Sequence, residues 1–95
     1  MAIAVILDFP GGTLEQYDQV IDRMGFTKGG PGPSGALFHW ATKSEDGLRV
    51  VDVWEDRETF ERFSEEKIAP LSREVGIPGP PRVRFCEVHN YLTAG

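Results

Sequence analysis

The chain has 95 residues, 40% of them hydrophobic, a single cysteine and a formal net charge of -5. A chain of this length folds as one domain that buries roughly 60 to 65% of its unfolded surface, so its core is thin. The acidic balance argues against nucleic acid or an anionic membrane as partner, since both require a basic face, and one thiol excludes an internal disulfide and points to a reducing cytoplasm.

The first run, MAIAVILDF, lacks the basic n-region and the longer apolar core of a signal peptide and reads as a strand. Nowhere is there the apolar run of about 18 residues that a membrane span needs. In TLEQYDQVIDRMG, Thr13 and Gln16 fit a capping box, Leu14, Tyr17, Ile21 and Met24 recur at helical spacing, and Gly25 can end the helix. TKGGPGPSG is too rich in glycine and proline for regular structure, and no GK[ST] follows to make it a phosphate loop.

Residues 35–42 and 47–55 read as two strands of a hairpin around a polar turn. The segment 56–77 is an amphipathic helix capped by Asp56, with Phe60, Phe63, Lys67 or Ile68, Leu71 and Val75 on one stripe and a break or bend expected at Pro70. Residues 82–92, RVRFCEVHNYL, read as the last strand, with Cys86 expected to be buried and inert. Strand, helix, strand, strand, helix, strand is the ferredoxin-like βαββαβ order, an α+β domain over residues 1–95 with a four-stranded antiparallel sheet and both helices on one face. Strand one is apolar on both faces, so the sheet face without helices is expected to be covered by a second copy of the chain.

Taking Glu45 and Asp46 as the central turn residues pairs positions that sum to 91. Leu37 then faces Trp54, His39 faces Asp52 and Ala41 faces Val50, all on one side of the sheet. The alternate face, with Phe38, Trp40, Thr42, Arg49, Val51 and Val53, is the more apolar of the two in this hairpin and is assigned to the helices, with Trp40 in the core. His39 and Asp52 would thus point toward the partner copy. A carboxylate beside an imidazole fixes which ring nitrogen carries hydrogen and prepares a general base, so His39 and Asp52 are the candidate catalytic pair; a polar pair that only fixes sheet register is the structural alternative. Trp54, Leu37, Val50 and His89 are candidate substrate-binding residues, with Asn90 in place of His89 if the register is reversed. Asp8 is a candidate pocket acid or, alternatively, a solvated strand-end carboxylate. No cluster of residues has metal-ligand spacing, and neither metal nor cofactor is expected.

With the hairpin LFHWATKSEDGLRVVDVWED, the helix TFERFSEEKIAPL and the closing RFCEVHNYL in place, the sequence resembles the dimeric alpha-beta barrel superfamily. Within it, the nearest likeness is to small antibiotic biosynthesis monooxygenase-like proteins, carried by a strand ending in V-x-x-W-E and a helix rich in Phe and Glu. The resemblance implies a homodimer with a small-molecule pocket and oxidation of a phenolic or aromatic substrate without a cofactor. Relatives that degrade haem are expected to carry a histidine in the second helical region, which has none here. The expected function is therefore cofactor-independent oxidation, or another base-assisted conversion, of a small aromatic substrate. The alternative is a noncatalytic homodimer that binds a hydrophobic small molecule or serves as an accessory subunit.

Overall fold

The computed structural model describes residues 1–93. In chain order it contains β1 (Ile3–Pro10), α1 (Leu14–Met24), β2 (Ala36–Lys43), β3 (Gly47–Trp54), α2 (Arg57–Phe63), α3 (Ala69–Val75) and β4 (Arg82–Glu87). The four strands form one antiparallel sheet in the order β2-β3-β1-β4, the ferredoxin-like arrangement.

Helix α1 is fixed at both ends by local chemistry. Thr13 Oγ1 accepts from the Gln16 amide and Gln16 Oε1 accepts from the Thr13 amide, each at 3.1 Å, while Gly25 closes the helix at a φ of 84° that disfavours side chains. Gln16 Nε2 also donates to the Gly76 carbonyl at 3.1 Å, tying α1 to the end of α3. Asp56 caps α2 by accepting from the Thr59 amide at 2.8 Å. Pro70 does not interrupt the second helical region. It has no amide to offer the carbonyl four residues back, and the preceding turn, Ser64–Ile68, widens to π geometry, with the Ala69 amide donating to the Ser64 carbonyl.

The hairpin register is the one the turn dictates: His39 faces Asp52, Trp40 faces Val51 and Ala41 faces Val50, with the Ser44 amide donating to the Gly47 carbonyl at 2.8 Å. It holds up to Phe38, where a bulge intervenes, so Ala36 rather than Leu37 stands opposite Trp54. Gly47 is required where the hairpin crosses the end of β1, since a Cβ there would lie 2.3 Å from the Phe9 carbonyl oxygen and 2.7 Å from the Gly11 amide nitrogen.

The faces are the reverse of the sequence expectation. Val5, Leu7 and Phe9 of β1 and Leu48, Val50 and Trp54 of β3 are buried with Val20, Phe60 and Ile77. Asp52, and across from it His39, belong to this helix-covered face. The two central strands decide the matter. Their register joins Ile3, Val5, Leu7 and Phe9 to Leu48, Val50 and Trp54, whereas the other set, Ala4, Ile6, Asp8, Arg49, Val51 and Val53, includes a carboxylate and a guanidinium. Phe38 and Trp40, on the edge strand, are outvoted and stand 54% and 45% exposed, so Trp40 is not a core residue. Cys86, expected to be buried, is exposed on that same open face. The strand carrying it is shorter than the pattern 82–92 implied, because Glu87 already pairs with Ile3, the first residue of β1, and Val88 makes one further bond to the Ala2 carbonyl at 3.1 Å.

Candidate functional site

Asp52 lies on a central strand, only 4% exposed, and both of its oxygens are engaged. Oδ1 is 2.6 Å from Nδ1 of His39, directly across on β2, and Oδ2 accepts from the Trp54 indole N–H at 3.1 Å. Trp54, 1% exposed, is held edge-on by Phe60 at 5.8 Å between ring centroids and tilted by Phe63 at 5.3 Å. From the helix layer, Tyr17 of α1 brings its hydroxyl to Nε2 of His39, and the two rings stack nearly parallel, 11° apart with centroids at 5.8 Å.

The four side chains form one line of hydrogen bonds from the core to the sheet edge. Its inner end, Trp54 and Asp52, is dry, while the His39 side chain further out is 36% exposed. The direction of the bonds follows from donor inventory. A carboxylate only accepts, so the hydrogen on the His39–Asp52 bond belongs to Nδ1; in the neutral ring Nε2 is then the accepting nitrogen and the Tyr17 O–H donates to it. Burial pushes the Tyr17 hydroxyl up to about 12, with the carboxylates of Asp52 and Asp18 adding to the effect. At neutral pH Tyr17 is therefore a hydrogen-bond donor rather than a phenolate.

The structure brings His39 and Asp52 together as their spacing implies, on the helix side of the sheet. Val50 sits on the same face, buried in the core beside Ala41, and Trp54 meets the site through its bond to Asp52. Leu37 occupies the bulge and is partly exposed. His89 and Asn90 do not join the site within one chain. They are exposed and lie past the end of β4, on the edge of the sheet opposite β2. Asp8 is neither a pocket acid nor solvated. Buried on the open face, it takes the Arg49 Nε–H at 2.7 Å and an Arg49 Nη2–H at 3.1 Å, which hold its carboxyl below the ordinary value.

Sequence reasoning missed Tyr17, which it read as one member of the apolar stripe of α1. The available signal was a hydroxyl on the helix face that turns toward the sheet. Among the described residues no group of three His, Cys, Asp or Glu side chains could hold a metal ion, and no helix is long and apolar enough to cross a membrane. His39 lines neither of two open grooves. One, of about 480 Å³, is lined by Trp40, Thr42 and Arg49 with the hairpin turn; the other, of about 300 Å³, is lined by Phe60, Val83 and Phe85 with Glu61, Ser64 and Glu65.

No family model matches this sequence, and no curated protein matches it. Among solved structures, the chain is similar to a monooxygenase from the gene ActVA-Orf6 of Streptomyces coelicolor, in complex with the ligand Nanaomycin D. The match covers 99% of this chain and 92% of that one, with 23% identity and a TM-score of 0.54. The two proteins share a fold. The ActVA-Orf6 monooxygenase thus bears out the resemblance drawn from the hairpin and the Phe-rich helix, at the level of architecture.

Proposed function

We propose that this chain is a small-molecule enzyme of the antibiotic biosynthesis monooxygenase type, working as a homodimer on a small aromatic or phenolic substrate. The observation that carries the reading is the line Tyr17–His39–Asp52–Trp54, in which a buried carboxylate fixes the tautomer of a partly exposed histidine. Such an arrangement suits a general base, because Asp52 offsets the charge His39 acquires on taking a proton. Leu14, exposed one turn before Tyr17 on the same helix face, adds apolar surface for a flat ring. The likeness to a monooxygenase crystallised with a small organic ligand supports the same class of substrate.

In this scheme the substrate phenol gives up its proton toward His39, and the electron-rich ring then reacts with dioxygen. One phenol and one dioxygen yield one quinone and one water, and the chain supplies a base and a dry wall rather than a redox group. The exposed Phe38 and Trp40 on the open sheet face support pairing with a second copy. The test is dioxygen uptake with a dihydroxynaphthalene probe, in protein dialysed against a chelator. His39→Ala should lower turnover by about 10² to 10⁴ with the fold intact. Undiminished uptake in that variant, or none in the wild type, refutes the scheme.

A second reading has its own support. Among the described residues no buried side-chain nitrogen or oxygen lacks a partner, so the polar line is complete without a substrate. A noncatalytic binding module predicts ligand affinity that survives His39→Ala and falls when the exposed Leu14 is truncated.

A further inference from the structure

We infer that Tyr17, rather than His39, is the group that meets the substrate's acidic hydrogen, and that His39 receives a proton only through the Tyr17 hydroxyl. The inference rests on the enzymatic reading above and deepens it. Both ring nitrogens of His39 are already occupied, Nδ1 by Asp52 Oδ1 at 2.6 Å and Nε2 by the Tyr17 hydroxyl. A substrate therefore reaches the base either by displacing Tyr17 or by acting through it.

Displacement is opposed by the way Tyr17 is mounted. Its helix is closed at one end by the Thr13–Gln16 box and at the other by Gly25, and is pinned to α3 by Gln16 and by the Arg23–Glu74 ion pair at 3.0 Å. The ring is also aligned by its near-parallel stacking on His39. The hydroxyl gives only its hydrogen to Nε2, so the lone pairs of its oxygen stay free to accept from a phenolic O–H.

The step balances without a redox partner. The substrate O–H bond breaks and its hydrogen forms a bond to Tyr17 Oη, while the original Tyr17 hydrogen leaves Oη for His39 Nε2. The products are a substrate phenolate, an unchanged tyrosine and an imidazolium held by the Asp52 carboxylate. No tyrosinate forms on the way, which accords with a site that disfavours that anion. Tyr17 is then a catalytic residue, and Asp52 and Trp54 are positioning residues behind His39.

Three measurements test the relay, and the first needs no substrate. Nitrogen NMR of the histidine-labelled protein, with His89 as the other signal, should find His39 carrying hydrogen on Nδ1 and accepting at Nε2. A hydrogen resident on Nε2 in the neutral ring overturns the relay, whatever the reaction. The second uses 4-nitrophenol, whose phenolate is coloured, held slightly below its own pKa. Wild-type protein should raise the phenolate fraction of the bound probe. Tyr17→Phe, which keeps the ring and its stacking, should abolish that rise while retaining probe binding by fluorescence quenching. In turnover, Tyr17→Phe and His39→Gln should each lower kcat by a similar factor of about 10² or more with little change in KM, and the double variant should be no worse than either alone. A Tyr17→Phe protein that still ionises the probe, or losses that multiply in the double variant, overturns the relay. Absent dioxygen uptake by the wild type refutes the oxidation alone, since the tautomer and the probe spectrum judge the relay independently.

Discussion

Trp54 and Asp52 stand two residues apart on one strand, and the indole N–H of the first donates to Oδ2 of the second at 3.1 Å. A period of two puts them side by side on the helix-covered face, so the tryptophan both fills the core and anchors the carboxylate that orients His39. Trp54→Phe retains most of the packing and removes the donor. An acceptor left unsatisfied this deep costs about 1 to 3 kcal/mol. The urea midpoint should fall accordingly with an unchanged slope, and turnover should fall with it. Equal stability in the two proteins would show that Asp52 finds another donor.

The charge of Asp52 acts on Tyr17 across the histidine between them. Burial is the larger reason that the Tyr17 hydroxyl is pushed up to about 12, and the Asp52 carboxylate adds to it. Asp52→Asn removes the charge and leaves the burial, so Tyr17 should ionise at lower pH than in the parent protein yet still above an ordinary tyrosine. The chain has two tyrosines, and a Tyr91→Phe background makes the tyrosinate absorbance report Tyr17 alone. A midpoint that does not move would remove Asp52 from the electrostatics of the site.

The hairpin shows which levels of this structure could be read from sequence. A polar turn with Gly47 at its end fixes the pairing of His39 with Asp52, because the period of a strand leaves no freedom once the turn is set. Which face turns inward was not legible within the hairpin, since Phe38 and Trp40 outweigh His39 and Ala41 when β2 is read locally. It becomes legible only when β1 is laid beside β3, where Val5, Leu7 and Phe9 vote with Val50 and Trp54. The bulge at Leu37 left no signature, as no glycine marks it. Tyr17 belongs to the site through a tertiary contact between α1 and β2, and spacing within one helix carries no information about what lies across the layer.

Asp8 and Arg49 give the open face an acid-sensitive element. Arg49 bonds hold the Asp8 carboxyl below its ordinary value, against the opposing effect of burial, with Arg82 and Arg84 assisting. A depressed native value means that the pair stabilises the fold above the ordinary aspartate range and that this contribution fades as pH falls through the lowered value. Asp8→Asn should therefore have a lower urea midpoint than wild type at neutral pH, with the gap closing in strong acid. A gap independent of pH would mean that packing, and not charge, distinguishes the two proteins.

The proposed homodimer places its interface on Phe38 and Trp40. Trp40→Glu would put a carboxylate into an apolar contact between copies, while in an isolated chain the same position is half in water. Native mass spectrometry should show wild-type dimers and Trp40→Glu monomers, with the tautomer of His39 unchanged. A wild-type monomer refutes the interface outright.

The single cysteine of the chain stands on that same uncovered face, beside Ala4 in the sheet and open to solvent in the lone protomer. Its sulfur is consequently a chemical clock for assembly. A maleimide consumes it at a rate set by how long the sheet is bare, so labelling that slows with rising protein concentration measures association in unmodified protein. Oxidation would act in the opposite direction, because a charged sulfinate or sulfonate on this face would be hard to bury against a second copy.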